Sequence, residues 1–190
     1  MLNLMFIRHA ETELNKAGTF AGRADCNITK EGYEQAKVAL KDNEKNFDFI
    51  YCSPLKRTKQ TLDAILPNSK PIIDERIIEI GIGEWEGKKK ESFDKNLVAL
   101  YRAGQYNPPG AETKAQVDKR VCDFIESLFN TYKNNEKILI VTHNGVMRSI
   151  KRNFVKSYDD IMSKNLGHIV LTDENYKYYL EKIKNKETNM

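Results

Sequence analysis

The sequence predicts an α/β fold, a three-layer α/β/α sandwich in which helices cover both faces of a mostly parallel central sheet. Three observations predict it. Short apolar runs of strand length alternate with longer stretches whose apolar residues recur at helical spacing. Two of the runs, LNLMFI (2–7) and KILIVT (137–142), are apolar at nearly consecutive positions, as strands buried on both faces are. Three runs end in polar residues: Arg8-His9, Ser53 and Thr142-His143-Asn144. In such a sheet that is the ligand-binding rim, outside the carboxyl ends of the strands.

In chain order, residues 2–7 form the first strand. After an irregular stretch over 16–28, Thr29 is placed to cap a helix with Tyr33, Ala36 and Leu40 at helical spacing. FDFIYC (47–52) is the second strand, and Pro54 opens a helix through LKRTKQTLDAIL. PIID (71–74) is a third, shorter strand, and residues 88–101 are helical, with Phe93, Leu97, Leu100 and Tyr101 on one face. NPPGAE (107–112) is a loop. Val117, Val121, Phe124, Ile125, Leu128 and Tyr132 then make the clearest amphipathic stripe in the chain. The strand KILIVT and a helix through GVMRSIKRNFV follow. HIVLT and YKYYLEKI are expected as closing strands joined by a tight Asp173-Glu174-Asn175 turn. The expected organisation is one domain over residues 1–184, with a small lid-like segment at about 80–112 and a loose polar tail over 185–190.

Composition narrows the function. A chain of 190 residues with 40% hydrophobic and 31% charged residues has the make-up of an ordinary globular domain. Its formal charge of +4 comes from 31 basic and 27 acidic residues spread along the chain, which does not call for a nucleic-acid partner. The three cysteines, Cys26, Cys52 and Cys122, are odd in number and far apart, so neither a disulfide framework nor a cysteine metal site is expected. No apolar run approaches the ~20 residues that span a bilayer, and LNLMF is too short for a signal peptide. No membrane contact and a cytoplasmic setting are the expectation.

Several local patterns carry less than they suggest. GIGEWEG (81–87) is one residue too long for a dinucleotide fingerprint and reads as a turn. CSPLKR (52–57) lacks the length and glycines of a cysteine phosphatase loop, so Cys52 is read as the end of a buried strand. Arg57 differs: one turn into a helix that starts at the rim, it is placed to meet an anion. His9, His143 and His168 lack metal-ligand spacing, and His168, inside an expected strand, is read as structural. KKK (88–90) is either a solvated face or an attractor for an anionic substrate.

Taken together, the ordered motifs resemble those of the histidine phosphatase superfamily, phosphoglycerate mutase-like branch. The opening Arg-His-Gly-Glu-Thr of that family is matched by Arg8-His9-Ala10-Glu11-Thr12, with Asn15 three residues on. Gly22, Asp25, Ile28, Thr29 and Gly32 match a second block; Ser53, Leu55, Arg57, Gln60 and Thr61 match a third. IIEIGIGEWEG places the family's acid at Glu79, PGAE resembles its Pro-Gly-Gly-Glu, and ILIVTHNGVMR resembles the strand with its second histidine, here His143. Two positions depart from the pattern. Ala10 replaces a glycine, which matters if the backbone there needs a positive φ or if phosphate passes close. Asn144 replaces a glycine after the second histidine.

The resemblance implies a metal-independent phosphomonoester hydrolase that acts on a small phosphorylated metabolite through a phosphohistidine intermediate, with no cofactor. It implies His9 as nucleophile and Glu79 as acid, then base. Arg8, Arg57, Asn15 and the Asn144 N–H would hold phosphate, beside Ala21 and Gly22, and a protonated His143 would add charge. Phosphate chemistry needs such a set, because a phosphomonoester is a dianion whose charge must be balanced where it develops. Tyr101, Arg102 and Tyr106 are candidate substrate contacts. The short segment between Glu79 and PGAE favours water over a second substrate as acceptor, and the overall length resembles small α-ribazole phosphatase-like enzymes. A mutase-type phosphoryl transfer and a non-catalytic phosphate-ester binder are the alternatives, and a monomer or a homodimer fits equally.

Overall fold

The computed structural model describes residues 1–157 and 164–188, with the backbone only for 186–188. Five strands form one sheet: β1 (Asn3–Arg8), β2 (Phe49–Cys52), β3 (Ile72–Ile73), β4 (Lys137–Thr142) and β5 (His168–Leu171). Their order is β3-β2-β4-β1-β5. The β1–β4, β2–β4 and β2–β3 pairs are parallel, and only β5 runs antiparallel, at the edge beside β1. The helices are α1 (Glu13–Lys16), α2 (Lys30–Lys37), α3 (Lys56–Ile65), α4 (Lys95–Ala103), α5 (Lys114–Thr131), α6 (Asn144–Phe154) and α7 (Asp173–Thr188).

The period of two along β1 and β4 sorts their side chains onto two cores. Leu4, Phe6, Ile138 and Ile140 pack against Val121, Phe124 and Ile125 of α5, Met147 and Ile150 of α6, and Tyr179 of α7. Ile7, Leu139 and Val141 face the other way, onto Ala36 of α2 and Leu62 and Ile65 of α3. This is the three-layer arrangement that the alternation of strands and helices implied. A third cluster, Ile82, Trp85 and Val98 with Phe20, Phe93, Tyr101 and Tyr106 packed on it, lies apart from the sheet. It ties much of the 80–112 segment together.

Three expectations need correction. YKYYLEKI is not a strand but the body of α7, and Asp173-Glu174-Asn175 is its first turn. The side chain of Asn175 accepts from the Thr172 backbone N–H at 3.0 Å, fixing the start of the helix as a capping residue does. Tyr176, Tyr179 and Ile183 lie on one helical face, and there Tyr176 stacks on Phe129 at 4.3 Å and Tyr179 on Phe154 at 4.4 Å. The alternating aromatics imitate a strand, but their three- and four-residue spacings are what the core uses. α7 also continues through residues 185–188, so that part of the expected loose tail is helical. The helix expected over 88–101 starts later: Lys90–Ser92 form a 3₁₀ turn, and Asp94 caps α4 by accepting from the N–H groups of Asn96 and Leu97.

Candidate active site

The ends of three adjacent parallel strands build the site. Backbone pairing continues one residue past β1 and β2: His9 N–H donates to Thr142 O at 2.9 Å and Ser53 N–H to Val141 O at 3.0 Å. The His9 and His143 rings consequently sit side by side, with centroids 5.3 Å apart. Ser53, on the third rim, lies with its Oγ 2.6 Å from His143 Nε2.

His9 is buried, and its Nδ1 lies 2.7 Å from the Ala10 carbonyl oxygen. A carbonyl only accepts, so Nδ1 carries the proton and Nε2 keeps the lone pair. Burial, then the charges of Arg57 and Arg8, hold the His9 pKa well below the usual imidazole range. His9 is therefore a neutral imidazole with an available nucleophilic nitrogen. Burial, then Arg57, His9, Arg8 and Arg120, act the same way on His143, whose Nδ1 is buried without a hydrogen-bond partner. These surroundings favour the neutral ring, so a protonated His143 would need the negative charge of a bound phosphate beside it. The His9 and His143 imidazole proton resonances should accordingly still be at their neutral positions when the pH has fallen to the usual imidazole midpoint of about 6.5, in an NMR titration. The sign for stability follows. Both rings gain protons more readily when unfolded, so stability falls as the pH drops below about 6.5.

Arg57 is fully buried at the start of α3. Its Nη2 donates to Gly22 O at 2.7 Å and its Nη1 to Ala24 O at 2.9 Å. Gly22 has a φ of +49°, and a Cβ there would come within 2.6 Å of Glu86 and Ile82 side-chain atoms, so only glycine fits this turn. Several motif residues support the site from behind. Thr61 accepts from Ala10 N–H at 2.9 Å, Asp25 accepts from Lys56 N–H at the start of α3, and Glu11 holds Thr29.

Asn15 lines the cavity, and its Oδ1 accepts from Thr12 N–H at 3.3 Å and from Asn165 Nδ2 at 3.4 Å. With the oxygen so engaged, the amide nitrogen is the group left to face an anion. Asn165 also donates to His9 O at 2.9 Å. Sequence reasoning missed Asn165, because nothing local marks a residue whose partners lie some 150 positions away. Glu79 is 9% exposed, and its Oε1 accepts from the backbone N–H groups of Ile80 and Gly145, each at 2.9 Å.

Ala10 is buried and packs within the core cluster under α2 and α3. It is not among the residues with positive φ, nor does it line the cavity. Its methyl group thus meets neither condition that would obstruct phosphate. Ala10→Gly should leave turnover unchanged and cost about 0.5–1 kcal/mol of stability through backbone entropy, read from a thermal melt with a parallel activity assay. Cys52 is equally disposed of as a nucleophile, since burial pushes its thiol up to about 11.

The cavity above these groups has a volume of about 270 Å³ and is lined by Arg8, His9, Asn15, Ala21, Gly22, Arg57, Glu79 and Asn144. Its outer wall includes Lys90, Tyr101, Arg102, Tyr106 and, from α6, Arg148 and Arg152. The candidate contacts Tyr101, Arg102 and Tyr106 are therefore all present; Arg148 and Arg152 were not anticipated. Burial, then Arg102 and Arg8, lower the pKa of Lys90, which marks this wall as electropositive. One donor atom each from His9, Glu79 and His143 lie within 4.8 Å of one another, a spacing a metal ion would accept. Arg8 and Arg57 oppose that reading: charges that hold both imidazoles neutral repel a divalent cation and attract an anion.

Phosphoserine phosphatase 1 of Hydrogenobacter thermophilus is 33% identical over 158 residues, covering 79% of this chain and 74% of that protein. A 2,3-bisphosphoglycerate-dependent phosphoglycerate mutase of Rhizobium etli is 30% identical over 166 residues, covering 80% and 79%. Among solved structures, a mutant phosphoserine phosphatase of Entamoeba histolytica in complex with phosphoserine superposes with a TM-score of 0.77 at 25% identity, covering 90% of this chain and 91% of that one. The same enzyme in complex with 3-phosphoglyceric acid gives 0.76 at 26% identity, with the same coverage. No helix among the described residues is long and apolar enough to cross a membrane. The model of the histidine phosphatase superfamily (branch 1) matches residues 4–186, and the chain belongs to that family.

Proposed function

We propose that this protein is a metal-independent phosphomonoesterase that transfers the phosphoryl group of a small metabolite to His9 and then to water. The observation that carries the proposal is the neutral His9 Nε2 set against two buried guanidiniums, Arg8 and Arg57, with the Glu79 carboxyl beside them. The arginines and the Asn15 amide balance the dianion. Nε2 attacks phosphorus, the P–O bond to the substrate breaks, and Glu79 gives its proton to the leaving alkoxide. Glu79 next takes a proton from water as that water attacks phosphohistidine, which releases phosphate and restores the neutral ring. His143, hydrogen-bonded to Ser53, lies beside His9 and would adjoin the phosphoryl group.

The electropositive wall of Lys90 and Arg102 favours a substrate with a second acidic group. Phosphoserine and 3-phosphoglyceric acid, bound in the Entamoeba enzyme, are of that kind. Three free cysteines, two of them buried, suit a reducing cytoplasmic setting. The mutase relative keeps phosphoryl transfer between phosphoglycerates as a second reading.

The test is hydrolysis of p-nitrophenyl phosphate between about pH 5 and 8, a range spanning the imidazole value, with excess EDTA. A panel of phosphoserine, 3-phosphoglycerate and α-ribazole phosphate follows. EDTA-resistant turnover, highest on an acid-bearing ester, is the expected result. Loss of turnover in EDTA with recovery on added metal would overturn the metal-free route. Conversion of 3-phosphoglycerate to its 2-isomer faster than phosphate release would favour the mutase.

A further inference from the structure

The two oxygens of Glu79 are not equivalent. Oε1 accepts two backbone hydrogen bonds, from Ile80 at 2.9 Å and from Gly145 at 2.9 Å. The second donor comes from the first turn of α6, directly after His143. Position 145 has room for nothing larger than glycine. A Cβ there would fall on Glu79 Oε1 and lie 2.9 Å from Ile80 Cγ2. The backbone at Gly145 is ordinary helix without positive φ, so the constraint is one of space, not conformation.

We propose that Gly145 is a positioning residue that assigns different tasks to the two oxygens of Glu79: Oε1 is the fixed acceptor, and Oε2 is the atom that carries the transferred proton. This role of Gly145 rests on the reading of Glu79 as the acid. A protonated carboxyl has one O–H and one carbonyl oxygen, and an oxygen that already accepts two N–H bonds takes the carbonyl role. The proton on Oε2 moves to the leaving oxygen as the P–O bond breaks. In the second step Oε2 takes one proton from water while the N–P bond of phosphohistidine breaks, so the carboxyl ends as it began. The tie at Oε1 holds the rest of the side chain still through both transfers, which geometry-sensitive proton transfer requires.

The design predicts how the site yields. When a methyl group is added at position 145, the Ile80 side chain, with Cγ2 at 2.9 Å, must give by a few tenths of an ångström, and the carboxylate, which lies closer still and ends a flexible side chain, is the group that moves farthest. Gly145→Ala should keep the fold, since alanine is the better helix former, and lose the aim of the acid.

The experiment compares two substrates of nearly equal shape, p-nitrophenyl phosphate and phenyl phosphate. The nitrophenolate leaves readily without a proton; phenolate does not. Gly145→Ala should lower kcat/KM for phenyl phosphate about a hundredfold or more, the usual contribution of a general acid, and that for p-nitrophenyl phosphate far less. Glu79→Gln should show the same split, and the double variant should be no worse than Glu79→Gln alone, because both act through one group. Equal losses of Gly145→Ala on both substrates, or no loss on either, would overturn the role of Gly145 while a split in Glu79→Gln left the acid in place. Absence of a split in Glu79→Gln would overturn the acid itself. Activity on p-nitrophenyl phosphate serves as the check on folding.

Discussion

His9→Ala abolishes turnover of every phosphomonoester, by more than about 10⁴-fold in kcat, as loss of a covalent nucleophile does. No neighbour is built to replace it. His143 Nε2 is engaged by Ser53 Oγ at 2.6 Å, and Cys52 is held as a thiol by burial. The guanidiniums proposed to bind phosphate remain in His9→Ala, so a competitive oxyanion such as vanadate should still protect the variant against thermal unfolding. A rapid quench with ³²P-labelled substrate gives the complementary readout: wild type carries an acid-labile, alkali-stable label, and His9→Ala carries none. Labelled wild type with full turnover in His9→Ala would place the covalent intermediate elsewhere.

Arg57→Met has the next largest effect, and it acts in two ways. The variant loses a charge proposed to face the phosphoryl group, a loss expected to cost about 10²–10³ in kcat for a single stabilising donor. It also leaves the Gly22 and Ala24 carbonyl oxygens without the donors that now lie at 2.7 and 2.9 Å. Each buried acceptor stranded in this way costs about 1–3 kcal/mol, so the melting temperature falls along with activity. A separate signature follows from the electrostatics. Arg57 is the leading charge that lowers the pKa of His9 and of His143. Without it both rings titrate closer to the usual imidazole range, and residual activity is lost at the acid end of the profile, where the nucleophile becomes protonated. Full activity with an unchanged acid limb would remove Arg57 from the phosphate site.

Much of the architecture was legible because the chain states it locally. LNLMFI and KILIVT have only one way to bury apolar side chains on both faces, and the polar residues that end them had to share a rim once the strands ran parallel. The parts that misled are those where two periods fit the same letters. YKYYLEKI satisfies an alternating pattern, and only the stacking of Tyr176 on Phe129 and of Tyr179 on Phe154 selects the helix. Within the site, Arg8, His9, Asn15, Arg57, Glu79 and His143 could be named because each sits in a short recognisable block. Asn165 could not, since its partners at His9 and Asn15 exist only after β5 has closed against β1. Gly145 was visible as a letter, but its task depends on a carboxylate that arrives from a different part of the chain.

The side-by-side histidines have a consequence for how the protein can change. His9 and His143 follow neighbouring strands, and the 5.3 Å between their rings is close to the spacing of about 4.8 Å that any parallel pair keeps. The sheet thus works as a ruler for the two imidazoles, set by main-chain geometry that no side-chain substitution resets. The wall contributed by Lys90, Tyr101, Arg102 and Tyr106 belongs to a segment with its own small core, outside the sheet. Reshaping that segment alters which ester is admitted without moving the point of attack. Selectivity and chemistry are carried by separately adjustable parts, so a new substrate can be acquired by mutation in one while the other stays untouched.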